Sequence, residues 1–289
     1  MMMEKPYPSA LKEFYLLKAR CINQRNESFW LDWDLSEGAE MITDPDGDVT
    51  DFENIAKYYA DYLHNQEGYV VSYKEQLKKQ PVPLCFSTDS LRYLASSLFE
   101  YDDDEIIGAA LSLYEQHKAI TNPITDCEYV PEVQFLEINA VLDALTLIDA
   151  SLISLVNKGN RTQKSRVWND KIVSAHHGII PTNNPNVQLT KMTIQERRIY
   201  DLIRRSYITQ FFNEYEYLEK HAFCMIYDEP FDATCFCPKE KGWKEVFSDD
   251  EEEQSKDGEL PRLFDNEPIL CEEVRIDKHY KVLWSNENG

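Results

Sequence analysis

The sequence predicts an α+β fold, with strand-like segments towards both ends of the chain and helical segments between them. Bulky and polar residues alternate over residues 28–35, and again in several short runs after Phe212, as expected of half-buried strands. Between Thr88 and Phe212, apolar residues instead recur every three or four positions, as on one face of a helix. The hydrophobic fraction of 43% is that of a globular protein.

The first third of the chain is predicted to contain two helices and two strands. Apolar spacing predicts a helix over Pro8 to Arg20, and alternation predicts a strand over Ser28 to Leu35. Asp44 to Asp48 is a turn cluster, and Asp51 is placed to cap a helix that runs through Leu63. A second strand is predicted over Gly68 to Tyr73.

The middle of the chain is predicted to be helical. Two amphipathic helices are expected between Thr88 and Tyr114, and another is expected to run from Val130 to Val156. A long loop follows over Gly159 to Asn186. Thr193 and Glu196 have the spacing of a capping box, which predicts the start of the next helix.

The last third returns to strand-like alternation. Strands are predicted over Phe223 to Tyr227, Thr234 to Phe236, Gly242 to Val246 and Pro268 to Asp277. The acidic run from Ser248 to Glu259 is predicted to be a disordered surface loop. Mimicry of DNA by this run is the alternative, and the solvated loop is preferred.

Charge is distributed unevenly. The formal charge is −22, with 52 acidic and 30 basic residues, which argues against a uniformly basic nucleic-acid-binding domain. Residues 151–210, here called the basic island, nevertheless carry ten basic and three acidic side chains, so they contribute +7 and the rest of the chain −29. This island predicts salt-sensitive docking of a phosphate backbone, and the alternative is a solvated helix face.

The sequence predicts a cytoplasmic protein with no metal site and no membrane partner. No apolar run approaches the length that crosses a bilayer, and the first residues lack a signal sequence. Seven cysteines without paired C-x-x-C spacing predict reduced thiols, and Cys235 and Cys237 are expected to be buried. The Asp44 to Asp48 turn lacks the closing glutamate of a calcium loop.

One stretch has the composition of a site loop. Lys164 to Thr182 reads KSRVWNDKIVSAHHGIIPT, with basic residues, adjacent histidines and an apolar anchor. It resembles the His-His-Ala/Gly-Ile-Ile-Pro-Thr signature of type IA DNA topoisomerases of the topoisomerase III branch, in which Arg-x-Trp-Asn-Asp also precedes the histidines.

A second stretch resembles the phrase that holds the nucleophilic tyrosine of that family. Leu113 to Pro131 reads LYEQHKAITNPITDCEYVP, close to the family's Ile-Thr-Tyr-Pro-Arg-Thr-Asp-Cys with its flanking residues. By position, Asn122 replaces the nucleophilic tyrosine, and Ile124 replaces the arginine that supports the transferred phosphate. The resemblance therefore implies a degenerate catalytic site.

The resemblance also implies a domain organisation, in which a mainly helical domain is inserted into a β-rich gate or arch domain. Residues 1–83 would form the first part of the gate with its N-terminal helix, 84–220 the helical domain, and 221–289 the return of the gate with the acidic loop 248–259. The family's magnesium site lies in a Toprim domain that has no counterpart in this sequence, so we expect no cofactor.

The resemblance predicts which side chains would contact DNA. In the resembled enzymes the first histidine lies beside the scissile phosphate, which makes His176 the principal predicted contact. The predicted DNA-binding residues are His176, His177, Arg166, Lys164, Thr182 and Asp126. The alternative is that both histidines only form hydrogen bonds within the loop.

Three functions follow from these features. The first is a pseudoenzyme that binds single-stranded DNA or modulates DNA topology without cleaving a strand. The second is a protein-interaction module or inhibitor that acts on an active topoisomerase or another DNA-processing complex. The third is a subunit of a split topoisomerase that works with a Toprim-bearing protein, and Asn122 weighs against it.

Overall fold

The computed structural model describes residues 8–33, 52–173, 175–247 and 259–284. The strands are β1 Pro8–Asn23, β2 Ser28–Trp33, β3 Glu67–Gln80, β4 Tyr215–Ile226, β5 Glu229–Glu240 and β6 Pro268–Trp284. The α-helices are α1 Phe52–Leu63, α2 Thr88–Phe99, α3 Asp103–Glu115, α4 Ile138–Ile148, α5 Ile153–Lys158 and α6 Ile194–Thr209. Short 3-10 helices cover Glu132–Glu137, Ala150–Leu152, Leu189–Lys191 and Gly242–Val246. The α+β prediction is confirmed.

The chain divides into two compact units. The β unit comprises Met1–Lys78, Tyr217–Cys237 and Glu253–Gly289, and the helical unit comprises Lys79–Glu216 and Pro238–Glu252. Among the described residues, no helix is both long and apolar enough to cross a membrane.

The strands form a closed barrel in the order β1-β2-β5-β4-β3-β6. Strands β1 and β6 pair antiparallel along almost their whole lengths, from Pro8 opposite Trp284 to Asn23 opposite Ile269. The helix predicted over Pro8 to Arg20 is therefore wrong. Leu17, Ala19 and Cys21 are buried at alternate positions, and pairing with β6 overrides the helical spacing of the residues before them.

The helical unit has its own apolar core. Helix α6 contributes more side chains to this core than any other helix, and Tyr200, Tyr207 and, just after the helix, Phe211 are the largest fully buried side chains of the core. The predicted capping box of Thr193 and Glu196 is confirmed, because each side chain accepts a hydrogen bond from the other's backbone N–H. Ser87 and Asp102 cap α2 and α3 in the same way.

The helix predicted from Val130 to Val156 is interrupted. Residues Glu132–Glu137 form a 3-10 turn before α4, and Asp149 takes an extended backbone conformation that ends α4. The Asp149 carboxylate accepts hydrogen bonds from the backbone N–H and the hydroxyl of Ser151, and starts a new turn. This local pairing explains the break, because aspartate competes with the helix for backbone donors.

The strand predicted over Gly242 to Val246 is also wrong, because these residues form a 3-10 turn. Gly242 has a φ of +48°, and a Cβ there would lie 2.3 Å from the carbonyl oxygen of Glu214. The close approach requires glycine and bends the chain away from a strand. The Asp44 to Asp48 turn, the Asp51 cap and residues 248–258 of the acidic loop lie outside the described residues.

We expect the Glu196 carboxylate to make the helical unit sensitive to acid. Burial alone would raise the pKa of Glu196, but hydrogen bonds from Ser112 and Thr193, together with the nearby His117, hold this pKa below its ordinary value. A lowered pKa in the folded state stabilises the fold above the unfolded pKa, and this contribution is lost as the pH falls through the folded pKa.

Glu196→Gln should therefore lower the free energy of unfolding by about 1 kcal/mol at pH 7, with a smaller difference from the native protein at pH 4. Urea unfolding at the two pH values measures both differences. An equal loss at pH 7 and pH 4 would contradict the role given to the charge.

Candidate nucleic-acid interface

Two loops of the helical unit form the candidate site. The first, residues 119–130, contains Asn122 and is called the asparagine loop; the second, residues 164–182, is called the histidine loop. The backbone hydrogen bonds that join them are Thr121 N to Ile180 O at 2.9 Å, Thr182 N to Ala119 O at 3.0 Å and Gly178 N to Tyr129 O at 2.7 Å. A bridge between Val130 and Trp168 joins the loops again at their far ends.

The side chain of Asn122 stabilises the turn of the asparagine loop. The Asn122 side-chain oxygen accepts a hydrogen bond from the Ile124 backbone N–H at 3.0 Å and closes a local turn. Both side chains are exposed, and Ile124 is 50% exposed. The position that the family resemblance assigns to the nucleophile is therefore occupied by an amide that stabilises the turn.

Thr88, the first residue of α2, is hydrogen-bonded to the backbone of the same loop. Its hydroxyl accepts a hydrogen bond from Thr125 N at 2.8 Å and lies 2.7 Å from the Pro123 carbonyl oxygen, to which it donates. The Thr88 N–H also donates to the Thr125 carbonyl oxygen at 2.8 Å. These bonds fix the backbone on both sides of Ile124 without using the side chains of residues 122 and 124.

We expect Thr88→Val to destabilise the loop, because it leaves the Thr125 N–H without its buried acceptor. The expected loss is about 1–2 kcal/mol of unfolding free energy, measured by urea unfolding. Thr88→Ser keeps the hydroxyl and serves as the control, with a loss below half of this value. Equal losses for the two variants would show that the methyl group, and not the hydrogen bonds, holds the loop.

The histidine loop places its two imidazoles differently. His176 is exposed, whereas His177 is half-buried and its Nδ1 lies 2.8 Å from the Gly178 carbonyl oxygen. A carbonyl oxygen can only accept, so the His177 Nδ1–H donates and Nε2 is left to face other groups. The loop therefore offers one exposed ring and one oriented ring.

Gly178 is required by the contact between the loops. A Cβ at this position would lie 2.9 Å from the Glu128 carbonyl oxygen and 3.1 Å from the Cys85 Cβ. Such distances are shorter than van der Waals contact, and the first of these atoms belongs to the backbone. The glycine of the signature is thus explained by packing.

Two basic residues at the start of the histidine loop, Lys164 and Arg166, contact other residues of the helical unit. The Arg166 Nε donates to the Val82 carbonyl oxygen at 3.3 Å, and the rest of this side chain is exposed. Lys164 forms an ion pair with Glu132 at 2.5 Å. Trp168 of the histidine loop is buried and packs edge-on against Tyr207.

Part of the basic island is neutralised by acids from outside it. Four of its bases pair with acids outside residues 151–210: Lys158 with Glu245, Arg161 with Asp143, Lys164 with Glu132, and Arg204 with Asp149. The local charge of +7 read from the sequence therefore falls to about +3 when these partners are included. The field that would attract a phosphate backbone is weaker than the sequence suggests.

The predicted site residues lie on connected segments. Asp126 is exposed on the asparagine loop. The Thr182 hydroxyl donates a hydrogen bond to the Lys118 carbonyl oxygen at 2.7 Å, so Thr182 links the histidine loop to the residue that precedes the asparagine loop. Within the described ranges, no group of three or more His, Cys, Asp or Glu side chains could hold a metal ion. Sequence reasoning missed Thr88, whose only signal is its place at the start of a helix.

Comparison with known proteins agrees with this architecture. The family described as DNA topoisomerase matches the chain over residues 11–281. DNA topoisomerase 3 of Salmonella typhimurium is 31% identical over 269 residues, which cover 92% of this chain and 40% of that protein. DNA topoisomerase 3 of Haemophilus influenzae is 33% identical over 245 residues, which cover 84% and 37% of the two chains.

A solved structure shows the same fold. Full-length topoisomerase I from Thermotoga maritima superposes with a TM-score of 0.61 at 17% identity, over 94% of this chain and 41% of that chain. The chain thus spans about two fifths of the length of the relatives that it matches.

Proposed function

Because this chain belongs to the type IA DNA topoisomerase family, in its topoisomerase III branch, we propose that it binds single-stranded DNA across the two loops and does not cleave it. One observation carries the proposal. By the family resemblance Asn122 stands at the position of the nucleophile, and its side-chain oxygen accepts a hydrogen bond from the Ile124 N–H in a loop that is joined to the histidine loop by backbone hydrogen bonds.

Cleavage by this class of enzyme needs an ionisable oxygen and a positive group at the transferred phosphate. An amide oxygen cannot form a phosphoester link, and Ile124 supplies no charge. The nearby Thr121 hydroxyl already accepts a hydrogen bond from Ile180 N at 3.0 Å, and no described contact places a base on it. We therefore infer that strand cleavage is not available to the residues of these loops.

Binding needs less than cleavage does. The exposed His176 ring and the exposed part of Arg166 can both contact phosphate oxygens, and His177 presents its Nε2. Since most other bases of the island are paired, we expect only two or three phosphate contacts. For a single strand this corresponds to a slope of about −1.4 to −2.1 in a plot of log binding constant against log salt.

Fluorescence anisotropy of a labelled single-stranded oligonucleotide, across a salt series, tests the proposal. Arg166→Ala and His176→Ala should each weaken binding by about three- to tenfold, which corresponds to one lost phosphate contact. Arg197→Ala removes the same charge from an exposed position of α6, which belongs to neither loop, and should change binding less than twofold. Equal weakening by Arg166→Ala and Arg197→Ala would show that only net charge matters.

The second candidate function is a protein-interaction module that acts on an active topoisomerase or another DNA-processing protein. The partly neutralised basic island favours it, because a net local charge of about +3 is a weak attraction for DNA in a chain whose total charge is −22. No binding of the oligonucleotide at low salt, with co-elution of this chain and a purified topoisomerase, would select this function. Strand cleavage on adding a Toprim-bearing protein would instead select the split enzyme.

A further inference from the structure

The closing seam of the barrel contains two facing cysteines. Cys21 of β1 lies directly opposite Cys271 of β6, and both side chains are fully buried. The neighbouring pair, Arg20 opposite Glu273, leaves Glu272 without a partner residue, so a β-bulge interrupts the ladder beside the cysteines.

The backbone hydrogen bonds define the geometry of this pair. The Asn65 N–H donates to the Cys271 carbonyl oxygen at 2.8 Å, and the Cys271 N–H donates to the Gln66 carbonyl oxygen at 3.0 Å. In an antiparallel ladder the N–H and C=O of one residue point to the same side, so neither group of Cys271 is directed at Cys21. The two cysteines thus form a non-hydrogen-bonded pair.

Such pairs bring side chains close together. Directly opposite Cα atoms in a non-hydrogen-bonded pair are about 4.5 Å apart, which lies within the range of about 4.4–6.8 Å that a disulfide spans. Cys235 and Cys237 offer a competing pair, with sulfurs 3.6 Å apart on one strand. Residues two apart in a strand are separated by about 6.6 Å along it, so that bridge would require β5 to bend.

We propose that Cys21 and Cys271 are an oxidation site, at which a hydroperoxide converts the two thiols into a reversible disulfide that locks the first and last strands of the barrel together. The Cys271 thiolate attacks one oxygen of the hydroperoxide and becomes a sulfenic acid, while the O–O bond breaks and the alcohol or water leaves. Cys21 then attacks the Cys271 sulfur, the S–O bond breaks, and water leaves. Two thiols are oxidised and one peroxide is reduced.

The hydrogen bonding of the pair supports this order of events. The hydrogen bond between the two thiols raises the pKa of Cys21, which burial raises further, and lowers the pKa of Cys271. Cys271 is therefore the thiol that ionises more readily and reacts first. Both thiols are buried, so oxidation of the pair requires hydrogen peroxide to reach them where the β-bulge at Glu272 interrupts the ladder.

Peptide mapping after hydrogen peroxide treatment tests the site in the native chain. The protein is oxidised, denatured, alkylated and digested without reduction. We expect two of the seven thiols to escape alkylation, and a linked peptide pair that contains Cys21 and Cys271 and is separated by dithiothreitol. The oxidised chain should also show a melting temperature higher by about 5–10 °C, since the bridge closes a long loop.

Two variants make the test specific. Cys271→Ser should abolish the linked peptide and the rise in melting temperature, whereas Cys224→Ser, also fully buried in the barrel, should keep both. A linkage that maps only to Cys235 and Cys237, or seven alkylated thiols after oxidation, would overturn the proposal. Mapping of the native chain gives this answer even where a variant folds poorly.

Discussion

Gly178→Ala is expected to lower the free energy of unfolding of the helical unit by about 3 kcal/mol, the upper range for a forced steric clash. The new Cβ would lie 2.9 Å from the Glu128 carbonyl oxygen, so one of the two loops must move. Movement would also lengthen the hydrogen bond from Gly178 N to the Tyr129 carbonyl oxygen, now 2.7 Å. Urea unfolding measures the loss of unfolding free energy. Oligonucleotide binding, measured by fluorescence anisotropy, should also weaken because the histidines shift.

Gly108→Ala provides the matched control. Gly108 lies within α3, and a Cβ there meets no atom within 4 Å. The same chemical change should therefore stabilise the unit by about 0.5–1 kcal/mol, because alanine loses less backbone entropy in a helix. A loss of stability of similar size in both variants would show that the contact between the loops is not the cause.

Arg204→Ala is expected to cost about 3–5 kcal/mol of unfolding free energy, the range for removing one partner of a buried ion pair. Arg204 is 9% exposed, and its guanidinium lies 2.8 Å from Asp149 and 2.7 Å from Asp201. It also lies over the ring of the buried Tyr200. Removal leaves the Asp149 carboxylate half-buried without its charge partner.

The pH dependence distinguishes this ion pair from simple packing. Burial alone would raise the pKa of Asp149, but hydrogen bonds from Ser151 and the charge of Arg204 hold it below its ordinary value. Its contribution to stability is therefore present above the unfolded pKa and lost as the pH falls through the folded pKa. The free energies of unfolding of the native protein and of Arg204→Ala should therefore become more similar as the pH falls towards about 3. The control variant Arg197→Ala, on the exposed face of α6, should change the free energy of unfolding by less than about 0.5 kcal/mol.

The sequence was most informative where local signals agree with the tertiary structure. The Thr193 capping box, the two helices after Thr88 and the strand at Ser28 all depend on short-range patterns, and the structure confirms them. The links between the asparagine and histidine loops follow from two sequence phrases that occur together. Backbone hydrogen bonds join these two loops in the structure.

Long-range contacts explain what the sequence did not reveal. Strand β1 is determined by pairing with β6, whose partner residues lie at the far end of the chain. The turn at Gly242 depends on the approach of Glu214. The basic island looked uncompensated because Glu132, Asp143, Asp149 and Glu245 lie outside it in sequence and contact it only in the fold.

The central claim is that the two loops hold a single strand without a covalent link. One sample tests it directly: a labelled single-stranded oligonucleotide is bound at low salt, its anisotropy is read, and the mixture is then denatured with sodium dodecyl sulfate and separated by size. We predict a salt-sensitive rise in anisotropy and complete release of the oligonucleotide on denaturation. An oligonucleotide that stays attached to the denatured chain, or no rise in anisotropy at low salt, would contradict the claim.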